Sequence, residues 1–240
     1  MPTDPHGFAA RSAALKQELL TQGLRVQAQV ELAFASLFDR KSESSKQAIA
    51  ADDAIDEADV RLEKDAVALL TDATRPCQNP SAAALSERDL REVLTIVKVN
   101  NELERIADVA VDIAELVPSV EKLAVPFPDT FRVLANSIVG ILRDVNIAMS
   151  KNDAKLANIV LQSQHAVWAF KGALIKESQI KVAKGQLTIE FVFQLHEVAH
   201  LCEVIADHCT NIAEQVIYLN TGKIVRHLDT AWVEVTDTKA

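Results

Sequence analysis

Glu104 and Asp108 stand four residues apart in a strongly apolar stretch, and Glu203 and Asp207 repeat the pair 99 residues later. At that offset Val99 aligns with Val198, Ile106 with Ile205, Ile113 with Ile212 and Glu115 with Glu214. An internal repeat of this kind implies two similar structural halves. A spacing of four places both carboxylates of each pair on one side of a helix. Carboxylate oxygens are hard donors that suit Mg²⁺, Ca²⁺, Mn²⁺ and non-haem iron. Asp52 and Asp56 have the same spacing one helix earlier.

On a wheel of 100° per residue, Ile96, Val99, Leu103, Ile106, Ala110 and Val117 define a core face, and Glu104 and Asp108 sit beside it with Val93, Val97 and Val111. Lys98, Glu102 and Arg105 lie on the far side, where solvated charges belong. Along the preceding helix Asp52, Asp56, Asp59 and Glu63 fall on or beside the face set by Ile55, Leu62, Ala66 and Leu69. Antiparallel packing of the two helices would gather Asp52, Asp56, Glu104 and Asp108 into one buried patch. Like charges 4 Å apart repel by about 4 kcal/mol at an effective dielectric near 20. Protonation, a cation partner or a metal must relieve them. Arg61, Lys64, Arg91 and Arg105 are the available salt-bridge partners.

His196-Glu-Val-Ala-His200 matches H-E-x-x-H, in which two imidazoles on one helix face bind zinc and the Glu activates a water. His196, His200, Glu203 and Asp207 form one stripe. A peptidase also needs a third ligand and a substrate-binding edge strand, and no strand is expected here. A histidine-modified metal site with His200, Glu203 and Asp207 is a better reading than a peptidase, and partly buried histidines without metal are the commonest outcome. His165 and His208 are weaker candidates.

Six long helices must position these groups: residues 8–38, 44–70, 86–117, 129–149, 153–183 and 186–220. Ser86-Glu-Arg-Asp89 has capping-box spacing, and Gly222 suits a helix C-terminus. Pro76 and Pro80 break the first half, and Pro118, Pro126 and Pro128 mark a mid-chain linker. Short connections favour antiparallel neighbours. The expected architecture is all-α, with two pseudo-symmetric three-helix bundles at residues 8–118 and 127–222 and a tail at 223–240, loosely ordered at its end.

The 240 residues include six glycines and one tyrosine, a composition that favours helix over sheet. The glycines are scattered, so there is no phosphate-cradling loop. A net charge of -9 argues against general affinity for nucleic acid or an anionic membrane surface. Met1 to Gly7 lacks the pattern of a signal peptide, and the uncharged run Leu156 to Phe170 holds Asn158, Gln162, Gln164 and His165. No membrane span and a cytoplasmic location are expected. Cys77, Cys202 and Cys209 form no disulfide framework, and the last two read as small apolar fillers.

Asn101-Glu-Leu-Glu-Arg-Ile-Ala-Asp-Val-Ala-Val-Asp-Ile-Ala-Glu115 resembles the signature of the PhoU family of phosphate-signalling proteins. Ala54-Ile-Asp-Glu-Ala58 resembles the family's middle-helix motif, and Glu203 to Glu214, with Asp207-His-Cys-Thr-Asn-Ile-Ala213, its C-terminal motif. The resemblance spans residues 10 to 227. It implies two three-helix bundles and iron or zinc clusters on the E/D-x-x-x-D motifs, with Asp52, Asp56, Glu104 and Asp108 as the first metal patch. It further implies a non-enzymatic negative regulator of phosphate uptake. Its implied partners are the ATPase of a phosphate ABC transporter and a sensor histidine kinase. A homodimer is plausible. The alternative is a metal-dependent hydrolase or redox protein on a carboxylate-bearing bundle, although the first bundle lacks the histidines of a di-iron oxidase. The chain departs from the family pattern on its fifth helix, where Gln164 and Trp168 stand in place of carboxylates. One carboxylate site in the first bundle and a lost or histidine-altered site in the second are expected.

Overall fold

The computed structural model describes residues 5–74, 85–123, 125–228 and 231–235. The first bundle contains α1 (Pro5–Asp39), α2 (Ser42–Ala50), α3 (Asp52–Thr74) and α4 (Glu87–Glu115), followed by the single turn α5 (Val117–Glu121). The second contains α6 (Asp129–Lys151), α7 (Ala154–Ala183) and α8 (Ile189–Thr221). The expected second helix is thus two helices meeting at Ala51, whose N–H still reaches the Gln47 carbonyl at 3.1 Å. The last helix starts at Ile189 instead of Gln186, because Thr188 caps it by accepting from the Phe191 N–H at 3.2 Å. Cys77, Pro76 and Pro80 lie outside the described residues.

Local chemistry ends the helices where their residue types demand it. Ser86 and Asp89 form the reciprocal capping box that opens α4. Asp153 accepts from two backbone N–H groups at the start of α7. Gly222 ends α8 at φ 73°, a conformation that L side chains resist. A Cβ there would also lie 2.9 Å from the Arg91 guanidinium.

Each bundle buries one apolar stripe per helix, and the two cores merge at a shared seam. There α1 packs on α6 and α4 on α8. Gly23 permits the first contact: a Cβ would come 2.6 Å from Asn146 Oδ1, while Asn146 Nδ2 donates to the Gly23 carbonyl at 2.9 Å. Phe38, Phe127, Phe131 and Phe191 join α1, the linker, α6 and α8, with neighbouring centroids 5.3 to 5.5 Å apart. Arg40, at φ 54° after α1, lays its guanidinium over Phe127 at 5.1 Å and donates to the Val125 carbonyl. Cys202 and Cys209 are fully buried free thiols, as apolar fillers should be, and burial pushes both pKa values up.

One expectation fails. Ile224–Leu228 and Ala231–Val235 form an antiparallel hairpin, pairing Arg226 with Val233, where no strand was expected. Ile224, Val225, Trp232, Val233 and Val235 are β-branched or aromatic residue types, a signal too short to stand out in a helical sequence. In addition, α6 is long and apolar enough to cross a membrane by length and composition. Half of that apolar window is buried in the fold. Packing on α1, α7 and α8 explains its hydrophobicity.

Candidate metal centre

The packing of α3 on α4 brings the four first-bundle acids together. Asp56 is held above its ordinary range by loss of hydration and by the charges of Asp52 and Asp108. Glu104 is raised by loss of hydration and by Asp108, Asp59 and Asp56. Asp108 is raised by loss of hydration, Asp52 and Asp112. The buried patch expected from the wheel is not found. Asp56 and Asp108 are exposed and Asp52 and Glu104 half-buried, because the flanks of α3 and α4 that carry them open to solvent.

The anticipated salt bridges do not relieve this repulsion. Arg61 pairs instead with Glu18 on α1 at 2.8 Å. Arg91 pairs with Glu87 and covers the Tyr218 ring. Only at longer range does Arg105 offset the charges of Glu104 and Asp108. Among the described residues, no Lys, Arg or His forms an ion pair with any of the four acids.

Two supporting residues were not foreseen. Gln29 on α1, 1% exposed, donates to Asp52 Oδ1 at 3.0 Å and to the Ala48 carbonyl at 3.2 Å, fixing Asp52 at the start of α3. Asn100, on α4, donates to the Asp59 carboxylate at 2.6 Å and to its carbonyl at 3.1 Å. Asp59 joins the repelling set and is raised by loss of hydration, Glu63 and Asp56. Both supports are amides buried at helix contacts, a type that sequence alone reads as misplaced polarity.

The second bundle presents the same register with different chemistry. Gln164 aligns with Asp52 and Trp168 with Asp56, and the same alignment puts Lys171 where Asp59 stands. Gln164 Nε2 donates to Asp207 Oδ1. Lys171 Nζ lies 2.5 Å from Glu203 Oε2, with both side chains about one-quarter exposed. Trp168 leaves the acids and packs its ring edge-on to His165 at 5.5 Å. His200 is largely exposed, with Nδ1 3.6 Å from Glu203, and buried His196 Nε2 has no hydrogen-bond partner. His208 turns to the bundle seam, where its Nδ1 lies 2.7 Å from Glu102. The H-E-x-x-H stripe therefore gathers no ligand set. Glu203 and Asp207 are satisfied by an ammonium and an amide, which leaves little for a cation to do.

The donor sets thus differ in fit. The first bundle offers oxygen ligands, mutual repulsion and no paired cation, which suits a hard cation. The second already holds a cation in Lys171. Among the described residues, no three His, Cys, Asp or Glu side chains converge into a ready ligand cage. A cation at the first patch must therefore draw its ligands in.

Comparison with known proteins agrees with the two-bundle fold. The PhoU domain model matches residues 19–117 and again 131–216. The chain is 25% identical over 218 residues to a phosphate-specific transport system accessory protein PhoU homolog of Thermotoga maritima, covering 90% of each. It is 26% identical to the corresponding protein of Serratia marcescens, covering 92% of this chain and 87% of that one. The crystal structure of the phosphate transport system regulatory protein PhoU from Streptococcus pneumoniae superposes with a TM-score of 0.80 at 25% identity, over 92% of this chain and 100% of that one. PhoU from Pseudomonas aeruginosa gives 0.79 at 26% identity, over 90% and 99%.

Proposed function

The chain belongs to the PhoU domain family, and from that premise we propose that it is a non-enzymatic accessory and negative regulator of phosphate transport. In this reading it links the ATPase of a phosphate ABC transporter to a sensor histidine kinase in the cytoplasm. The names of its relatives as transport accessory and regulatory proteins support the role. The observation that carries the site is the group of Asp52, Asp56, Glu104 and Asp108, which no Lys, Arg or His among the described residues ion-pairs. These residues would hold iron or zinc. A bound cation would cancel their repulsion and tie α3 to α4, stiffening the face offered to a partner. The surrounding acidic surface suits basic partner patches. Ile189 and Phe193, 64% and 68% exposed and one turn apart on α8, supply apolar surface for a partner or a second copy.

The test is a pull-down of the transporter ATPase and the kinase with the native protein and with Asp56→Asn/Glu104→Gln. Retention of both partners by native protein, weakened in the variant, is the expected result. Failure to retain either partner, together with turnover of a phosphate ester or peptide, would reverse the assignment toward a hydrolase.

A further inference from the structure

Leu90 and Leu94 stand one turn apart on α4, 41% and 51% exposed. Ile189 and Phe193 stand one turn apart on α8 and are more exposed still. Ninety-nine residues, the offset of the repeat, separate Leu90 from Ile189 and Leu94 from Phe193. Single exposed apolar residues are ordinary on a protein surface. The same exposed pair at matching positions of both halves, where a helix normally carries solvated groups, points to a surface that is covered in use.

Both pairs lie on one face. The helices α4 and α8 pack on each other and on α1 and α6, which also pack together. Measured from buried Val99 and Val198, the exposed pairs point about 140° to 180° away, so each helix turns its pair from that inner layer. Glu102 meets His208 at 2.7 Å, and Glu197 acts on the charge of Asp112, so α4 and α8 run antiparallel. In that register Leu94 and Phe193 are about 33 Å apart along the seam. A pseudo-two-fold axis through the seam exchanges the two apolar knobs. Ile224 and Tyr218 join Leu94 in a small groove, which adds at that end the area that Phe193 supplies alone at the other.

Symmetry and charge together select the occupant. Two equivalent knobs are matched by a partner that presents the same socket twice, as a two-fold dimer does. Between the knobs Glu115 and Glu197 crowd Asp112, and none of the three forms an ion pair among the described residues. With Glu104 and Asp108 beside them, acids outnumber the bases Lys98 and Arg105 on this face. Two copies of this chain pressed face to face would therefore repel, whereas a basic partner would be drawn in. We propose that the α4/α8 face docks a two-fold symmetric protein through both knobs at once, with basic side chains of that protein opposite Asp112, Glu115 and Glu197. The proposal deepens the accessory role proposed above and rests on it.

Calorimetric titration of the native chain into the transporter ATPase and into the sensor kinase, each in its native oligomeric state, tests it. One chain per two protomers is expected with at least one of them. Leu94→Ser and Phe193→Ser should each weaken binding about tenfold, and the two together about a hundredfold, since distant contacts add. Both side chains are exposed, so the variants keep the fold. Leu24→Ser, of similar exposure on α1, should change nothing. Asp112→Asn/Glu197→Gln should weaken binding and flatten its salt dependence. Native protein that binds neither partner would overturn the accessory role and this surface together. Three results would overturn the surface alone: binding that survives Leu94→Ser/Phe193→Ser, loss with only one of the two substitutions, or one chain per partner protomer.

Discussion

The two bundles place nearly the same backbone around opposite electrostatics. In the first, α3 contributes Asp52, Asp56 and Asp59 opposite Glu104 and Asp108. In the second, α7 contributes Gln164, Trp168 and Lys171 opposite Glu203 and Asp207. The acid pair persists in both copies, while its partners have changed from repelling to satisfying. A repeat can therefore keep its fold while only one copy keeps a reason to bind a cation. Positions flanking the apolar stripe do not decide whether the helices pack, so their chemistry can change without loss of the bundle.

Lys171→Asp should break the comparison most severely. It removes the ammonium 2.5 Å from Glu203 and restores the first bundle's acidic register. Loss of a charge-assisted hydrogen bond at a partly buried site should cost about 2 kcal/mol. Urea unfolding should show this as a lower midpoint with unchanged slope. An unchanged midpoint would mean that Lys171 does not satisfy Glu203.

The reverse change in the first bundle should act with the opposite sign. Glu104→Gln/Asp108→Asn removes two repelling charges, and in metal-free protein it should raise stability by about 0.5 kcal/mol, small because Asp108 is exposed. The matching Glu203→Gln/Asp207→Asn should lower stability, since those acids have partners. The same sign in both bundles, measured by thermal unfolding, would erase the contrast.

The smallest effect is a pH dependence. Asp56, Asp59, Glu104 and Asp108 are raised in the folded protein, through lost hydration and mutual charge. The folded state holds their protons more tightly than the unfolded chain does. Their contribution to stability is therefore full below the ordinary carboxylate range, near pH 4, and is lost as pH rises through the raised values. Glu102 runs the other way. Burial alone would raise it, but hydrogen bonds from His208 and Asn211 prevail and lower it. Its contribution is present above its ordinary 4.5 and is lost as pH falls through the lowered value. The advantage of Glu104→Gln/Asp108→Asn should thus be present at pH 7 and close below about pH 4. Glu102→Gln should instead cost stability at pH 7 and less in acid.

Much of this contrast was legible in the sequence, because it rests on local periodicity. The Ser86 capping box and the Gly222 terminus follow from residues within a few turns of one another, the repeat from matching segments 99 residues apart, and the loss of carboxylates at Gln164 and Trp168 from the family resemblance. The groups that complete the sites act across the fold. Lys171 meets a residue 32 positions away, Asn100 one 41 away and His208 one 106 away. Spacing on one helix fixes which face a side chain shares but not which neighbouring helix meets it at which height. That is why Arg61 and Arg91 were expected at the acid patch and are found at Glu18 and Glu87. The wheel also placed the acids beside the core face without showing that this flank stays open to solvent.

Metal content tests the central claim most directly. Protein equilibrated with iron or zinc, desalted and assayed by elemental analysis should carry metal that Glu104→Gln/Asp108→Asn abolishes and Glu203→Gln/Asp207→Asn leaves intact. Metal lost with the second pair and kept with the first, or no metal taken up by native protein, would contradict the account.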